Sequence, residues 1–291
     1  MNAGHDPIAP FRGRLLGLAY RMLGRVSDAE DVLQDAYLRL HGVENIANTE
    51  ALLVTIVTRL CLDRLKSAAA RRETYVGPWL PEPVFDAEAF SPHTALELAD
   101  DLSLAMMLVL ERLSPPERAA FLLHDVFDVS FAEIAPVLGR SETACRQLAS
   151  RARKTVREGR PDMAAPLERQ GRLLAAFGNA VASGDVAALT VLLREDAVLL
   201  SDGGGIKRAA LNPILGADRI ARYLLGTMRK FATRQTALVS EARMVNGALG
   251  VVSYGDGAVE QVLSILADGE RIAAIYVVRN PQKLAHLRVL N

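Results

Sequence analysis

Two helix-start signals with one stop between them confine residues 130–155, SFAEIAPVLGRSETACRQLASRARKT, to a helix, a tight turn and a second helix. Ser130 and Glu133 have the Ser-x-x-Glu spacing of a capping box, which satisfies backbone N–H groups that a helix start leaves open. Gly139 suits the left-handed residue that closes a helix, and Ser141 can cap the next one. In that second helix Cys145, Leu148, Ala149, Ala152 and Val156 recur at helical spacing and predict a buried stripe. Thr143, Arg146, Gln147, Ser150, Arg151 and Lys154 fall on the opposite face. Arg and Gln match the guanine and adenine edges of the major groove, and Lys and Ser suit phosphates. The pattern predicts a DNA-reading helix-turn-helix whose second helix is the reader. An ordinary helical hairpin with a solvated basic face has the same pattern. Pro136 lies inside the first helix, removes one backbone donor and predicts a kink there.

Formal net charge over the 291 residues is zero, so its distribution carries the information. Residues 59–72 hold five basic groups and one acidic, and residues 131–160 hold seven basic and three acidic. Between them, residues 86–117 hold seven acidic groups and one basic. Charges farther apart than about 8–10 Å are screened at cellular salt, so each island acts locally. Two basic islands around an acidic bridge suit a protein that touches DNA in two places. Cys61 and Cys145 both fall on predicted helices, which favours reduced core thiols over a disulfide. The five histidines show no metal-ligand spacing, so no metal or cofactor is expected. No apolar run approaches membrane-spanning length and the first residues do not read as a signal peptide. The expectation is a soluble, cytoplasmic protein.

Residues 8–73 read as a small helical bundle. Ser27 and Glu30 have capping-box spacing, and Val32, Leu33, Ala36, Tyr37 and Leu40 form the buried stripe that should follow. Asp31, Gln34, Asp35 and Leu38 share the other side, a solvated face or a docking face for a basic partner. After the loop His41–Asn48, a helix from about Thr49 to Lys66 should turn Leu53, Ile56, Val57 and Leu60 inward. It should turn Thr55, Thr58, Arg59 and Lys66 outward, with Arg64, Arg71 and Arg72 adding positive charge.

Residues 74–96 read as a linker, because Pro78, Pro81 and Pro83 favour extended geometry. Its Trp79, the only tryptophan, is expected to dock with Leu80 into a groove of a neighbouring domain. Residues 97–160 form a second helical domain. There Ser114-Pro115-Pro116-Glu117 is a strong helix start and the helix-turn-helix completes the bundle. Residues 166–291 change character. Helices near 167–182 and 185–194 precede a short strand 197–200, and Asp202-Gly203-Gly204-Gly205 reads as a flexible turn. A helix near 217–230 and strands near 237–245, 248–254, 258–266 and 271–279 follow. Asn246-Gly247, Gly255-Asp256-Gly257 and Asp268-Gly269 supply the turns. The fold class is therefore multidomain: two all-α bundles, then an α+β domain with a curved antiparallel sheet.

With these segments placed, the chain resembles a bacterial RNA polymerase sigma factor of the extracytoplasmic-function (ECF) class. SDAEDVLQDAYLRL resembles the helix that binds the clamp helices of the polymerase beta-prime subunit. ALLVTIVTRLCLDRLKSAAARRE resembles the element that opens and reads the promoter minus-ten region. LSPPERAAFLLHDVFDVSFAEIAPVLGRSETACRQLASRAR resembles the minus-thirty-five reader. YVGPWLPEP, DGGG followed by Lys207, and RNPQKL at 279–284 resemble the SigJ-type subgroup, which carries a fused SnoaL-like cone at the C-terminus. Leu52 and Arg59 stand where the class often has an aromatic and an asparagine. Ile206 interrupts the usual DGGGK, and Gln282 replaces an Asp.

The resemblance implies a non-enzymatic factor that works through binding free energy. It implies polymerase binding by Asp31, Gln34, Asp35 and Leu38, with the beta flap as a second polymerase contact. It implies that an unpaired base enters the His41–Asn48 loop while Thr55, Thr58, Arg59, Arg64, Lys66, Arg71 and Arg72 hold the minus-ten strand. Regulation in cis is implied for Trp79, Leu80, Pro81, Asp202, Gly203, Gly204, Gly205, Lys207, Asn280 and Pro281. Lys207 and Arg208 are candidates to pair with acidic groups on the helical domains. Asp202, Glu241 and His286 are the groups an enzyme would have to bring together, and the cone leaves room for a small ligand. The competing readings are a helix-turn-helix regulator with a ligand-sensing tail, and a SnoaL-like enzyme with helical appendages.

Overall fold

The computed structural model describes residues 7–41, 43, 48–85, 88–90, 102–159, 166–232 and 238–287. Its contacts divide the chain into two units: Met1–Glu73, Asp86–Leu102 and Met106–Arg160 form one, and Thr74–Phe85, Ser103–Ala105 and Pro161–Asn291 form the other.

The first unit opens with helices α1 (Arg12–Leu23), α2 (Val26–Leu40) and α3 (Thr49–Glu73). Leu15, Leu18, Ala19 and Met22 of α1 are buried against both other helices. Gly24 ends α1 in the left-handed region, at φ 72°, where its N–H donates to Tyr20 O. Three expectations change here. Helix α2 starts at Val26 with Arg25 as its cap, so Ser27 is already helical and makes no capping box; Glu30 instead accepts from Arg12 at 2.5 Å. Tyr37 leaves the apolar stripe, exposed at 41%, and stacks on His41. Helix α3 continues past Lys66 to Glu73.

Helices α4 (Leu104–Glu111), α5 (Pro115–Phe121), α6 (Phe131–Leu138) and α7 (Glu142–Gly159) follow, with a π turn at Leu122–Val126 between α5 and α6. Glu117 Oε2 accepts from both Ser114 N and Ser114 Oγ, and Glu133 Oε2 does the same at Ser130. Helix α6 carries through Pro136 to Leu138, and Gly139 closes it at φ 62°. The two bundles expected to be separate belong to one unit. Arg118 of α5 is buried at 2%, and its Nη1 donates to Glu111 Oε1 at 2.8 Å and to Met22 O, at the end of α1, at 2.6 Å. A sequence pattern assigns an arginine to solvent by default; this one joins the bundles because a carboxylate and a carbonyl compensate its burial.

The second unit holds α8 (Leu167–Ser183), α9 (Val186–Leu192), β1 (Leu193–Asp202), β2 (Ile214–Leu215), α10 (Ala217–Ala232), β3 (Val239–Val245), β4 (Ala248–Gly255), β5 (Ala258–Asp268), β6 (Arg271–Val278) and α11 (Pro281–Leu284). The sheet order is β2-β1-β6-β5-β4-β3. Strands β3 to β6 form the expected antiparallel meander, but β1 joins β6 in parallel, so the sheet is mixed. Strand β1 begins at Leu193 rather than 197, because Leu193 pairs with Ile272 and buries fully. Asn246-Gly247 and Asp256-Gly257 take positive φ at both residues, the geometry that tight hairpins require. Leu174, Phe177, Ile220, Leu225, Ile265 and Ile275 lie in one core between helices and sheet.

Among the described residues no helix is long and apolar enough to cross a membrane, and no His, Cys, Asp or Glu cluster is placed to hold a metal ion. Cys61 and Cys145 are free and buried.

Candidate functional site

Helix α7 is amphipathic because its small and aliphatic residues fall on one stripe. Cys145, Leu148, Ala149, Ala152 and Val156 are buried, and Leu148 and Ala149 pack with Ala120, Phe131 and Leu138. Burying a leucine contributes about 1.5–3 kcal/mol, which fixes the helix and turns its other face outward. Thr143, Arg146, Gln147, Ser150, Arg151 and Lys154 are all exposed on that face. All three cations of this face have intramolecular partners: Arg146 Nη2 meets Glu142 Oε2 and Arg151 Nε meets Glu117 Oε1, both at 2.8 Å, and Lys154 Nζ lies 3.9 Å from Glu158 Oε1. Exposed pairs of this kind contribute about 0–1 kcal/mol, less than the 1–3 kcal/mol of a good Arg–base contact. Hydrogen bonds from Ser114, opposed by partial burial and aided by Arg151, hold the Glu117 carboxyl below its ordinary range. Ser130 does the same for Glu133 through its hydroxyl and its backbone N–H.

On α2, Asp31, Gln34 and Leu38 are exposed, Leu38 at 68%, and Asp35 is half-buried. Arg64 of α3 reaches across to this face. Its Nη1 lies 3.3 Å from Asp31 Oδ2 and its Nη2 lies 2.9 Å from Asp35 Oδ2. A residue assigned to phosphate contact is thus tied to the acidic face. Lys66 is exposed beside Asp63 at 2.9 Å, and Thr55 is half-buried with its hydroxyl donating to Ala51 O. Thr58 was expected outward and is fully buried, because the inward stripe of α3 widens to include Val54 and Cys61. The side chains of Arg71 and Arg72, and residues 42 and 44–47 of the proposed base-holding loop, lie outside the described residues.

Arg59 is exposed but not directed only to solvent. Its Nη2 donates to Pro136 O at 2.7 Å and its Nε to Val137 O at 3.3 Å, both on α6 of the helix-turn-helix. Arg14 Nη2 donates to Phe127 O nearby. A cavity of about 430 Å³, lined by Leu52 and Thr55 on one side and Glu133 and Val137 on the other, interrupts the same seam.

In the second unit, Asp202 organises a buried cluster. The flexible turn expected there is a fixed one. Asp202 is fully buried and its Oδ1 accepts from Tyr75 Oη at 2.6 Å and Gly204 N at 3.0 Å. Its Oδ2 accepts from Leu80 N at 2.9 Å and Lys283 Nζ at 2.7 Å. Lys283 also donates to Leu80 O, and its ammonium lies 4.0 Å from the Trp79 ring centroid and 5.0 Å from that of Tyr75. Asn280 Nδ2 donates to Tyr75 Oη, and Asn280 Oδ1 caps α11, where Pro281 is the first residue. The glycines are steric necessities: a Cβ on Gly203 would stand 2.1 Å from Lys207 O, and one on Gly204 2.2 Å from Asn280 Nδ2. Val84 and Asn246 exchange two further bonds, and His286 Nε2–H donates to Pro83 O at 2.9 Å. Residues 74–85 are therefore a clasped segment rather than a free linker, with Leu80 and Pro81 buried.

The other tail assignments resolve singly. Lys207 pairs with Glu260 of its own domain at 2.9 Å, not with an acidic group of the helical region. The backbone O of Arg208 accepts from Arg279 Nη1. Asp202, Glu241 and His286 serve separate partners: Lys283, Tyr254 at 2.7 Å and Pro83. Sequence reasoning overlooked Tyr75, Arg118 and Lys283. The signal for Lys283 was available in RNPQKL, where an Asn-Pro helix start places the lysine on the first turn.

Known sequences and structures resemble these parts. The model for sigma-70 region 2 matches residues 8–71, and that for sigma-70 region 4 matches residues 103–156. The chain is 41% identical over 287 residues to the ECF RNA polymerase sigma factor SigJ of Mycobacterium tuberculosis, covering 94% of this chain and 90% of that protein. It is 33% identical over 294 residues to a probable ECF RNA polymerase sigma factor SigI of the same organism, covering 98% and 97%. The crystal structure of Mycobacterium tuberculosis SigJ matches with a TM-score of 0.75 at 35% identity, covering 96% of this chain and 98% of that one.

Proposed function

We infer, from the premise that this chain belongs to the ECF RNA polymerase sigma factors, that it rests in a closed state and opens to read a promoter. As an alternative sigma factor it binds RNA polymerase core and promoter DNA and so directs initiation of transcription. The observation that carries the closed state is the Arg59 guanidinium on Pro136 O and Val137 O. Helix α3 is the proposed minus-ten reader and α6–α7 the proposed minus-thirty-five reader. Elements named for positions about 25 base pairs apart are separated by roughly 85 Å of duplex at 3.4 Å per base pair. Readers in hydrogen-bond contact cannot span that distance. Opening must also release Arg118 from Met22 O and Arg14 from Phe127 O, beyond the contacts that the cavity already interrupts.

In this reading Asp31, Gln34, Asp35 and Leu38 dock the beta-prime clamp helices, and Thr55, Arg59, Arg64, Lys66, Arg71 and Arg72 meet the minus-ten strand. Thr143, Arg146, Gln147, Ser150, Arg151 and Lys154 meet the upstream duplex, and the region 4 domain meets the beta flap. The C-terminal domain regulates in cis. Support comes from chain continuity: α3 ends at Glu73, and the clasped segment begins at the next residue. A binding role fits this domain better than catalysis, because Asp202, Glu241 and His286 each serve a different structural partner. The place of action is the cytoplasm, beside the polymerase.

The test is energy transfer between dyes on Ser67→Cys and Glu158→Cys, both exposed sites. Cys61 and Cys145 are buried and stay unlabelled. Transfer should fall when core polymerase and promoter DNA are added. Unchanged transfer in an actively transcribing complex would overturn the closed state.

A further inference from the structure

The C-terminal unit contains a cavity of about 440 Å³ that neither the clasp nor the readers use. It is walled by the loop after β1, by α10 and by the end of β6. Lys207, Arg208, Lys230 and Arg279 line it, with Ile206, Tyr223 and Thr227, and among the described residues no carboxylate does. Lys207 Nζ lies 2.9 Å from Glu260. Lys207 keeps a third ammonium proton beyond the two directed at Glu260. The Thr227 hydroxyl proton is already given to Tyr223 O at 2.8 Å, so charge-assisted N–H groups dominate what the cavity offers a ligand. Arg279 is buried at 8%, and its Nη1 is fixed on Arg208 O, so the guanidinium is held in place before any ligand arrives. Ile206 and the Tyr223 ring add an apolar wall. The volume is that of a small-molecule site.

We propose that this cavity binds a small organic anion, a carboxylate or phosphate head on an apolar body. Its position ties it to the clasp. Lys207 N and Ile206 N both donate to Gly203 O, next to Asp202, and Arg279 N donates to Asp202 O at 2.7 Å. Asn280, which follows Arg279, holds Tyr75. An anion drawn to Lys207 and Arg279 therefore pulls on the two backbone segments that grip residues 75–80. This extends the reading of the tail as a regulator in cis, and the coupling rests on that reading while the site does not.

The experiment is calorimetric titration of the full chain with 2-naphthyl phosphate, 2-naphthoate, inorganic phosphate and neutral 2-naphthol, with Trp79 fluorescence recorded in parallel. At least one naphthyl anion should bind at least about tenfold more tightly than 2-naphthol, a difference set by charge-assisted hydrogen bonds. Arg208→Glu and Lys230→Glu, both at exposed positions, should each weaken it by about tenfold or more. Tighter binding of the phosphate than of the carboxylate, or the reverse, identifies the head group. Inorganic phosphate binding as tightly as the naphthyl anions would overturn the apolar half of the proposal. No heat from any anion up to about 10 mM, or binding indifferent to both charge reversals, would overturn the site. Binding with an unchanged Trp79 signal would uphold the site and count against regulation through the clasp.

Discussion

Lys283 Nζ lies 2.7 Å from Asp202 Oδ2 with both side chains sealed from water, at 3% and 0% exposure. Two charges in such a place are stable only together. Lys283→Met leaves a buried carboxylate unpaired and should cost about 3–5 kcal/mol, whereas Asp202→Leu with Lys283→Met should cost less than the sum of the two single changes. Denaturant unfolding followed by Trp79 fluorescence measures this, and strictly additive losses would show that the pair is not coupled.

Breaking the same pair should alter transcription. Asp202→Ala removes the acceptor for Tyr75, Leu80 and Lys283 while leaving the proposed reader residues unchanged. Initiation from a cognate promoter by core polymerase with this variant should differ from the parent chain by several-fold, in the direction in which removal of residues 166–291 changes it. Equal activity of all three proteins would remove the regulatory role of the tail.

Arg146 and Lys154 should fail differently. Arg146→Ala removes the proposed base-reading fork and should cost about 1–3 kcal/mol on the preferred sequence, relaxing specificity there. Lys154→Ala should weaken all sequences alike and reduce the slope of log affinity against log salt by about one. Duplex titrations at several salt concentrations distinguish them, and identical profiles would argue against the assigned face.

Acid should loosen the helix-turn-helix through its caps. Glu133 is held below its ordinary value by Ser130, so its contribution is fully present above that ordinary value and is lost as pH falls through the depressed one. Ser130→Ala should cost about 1 kcal/mol at neutral pH and progressively less in acid. A pH series of unfolding curves on both proteins tests the sign.

Burial raises both thiols above their ordinary values, Cys61 most strongly. The reactive thiolate is correspondingly scarce at pH 8, so the native chain should react with a thiol reagent far more slowly than the unfolded chain. Rapid reaction of either cysteine in the folded protein would contradict their packing.

The parts of this fold that sequence reveals are those governed by local periodicity and turn chemistry. Ser130–Glu133, Gly139 and the Cys145–Val156 stripe act within a few residues, and each lies where its spacing predicts. The hairpins at Asn246 and Asp256 follow for the same reason. Partners distant in sequence were not legible. Arg118 is a surface residue until Met22 O and Glu111 meet it. Asp202 is a turn residue until Leu80 and Lys283 arrive from either end of the chain. Strand β1 pairs in parallel with β6, a long-range choice that an alternation pattern does not encode.

Segment 74–85 is covalently continuous with the helical half but folds with the C-terminal half. A chain divided after residue 165 would strand this strip without the carboxylate and ammonium that seat it. A peptide spanning 74–85 should instead complement the separately produced tail in trans, as a split reporter does. The natural seam for dissecting or re-engineering this protein thus falls on both sides of twelve residues that a domain map would have discarded as tether.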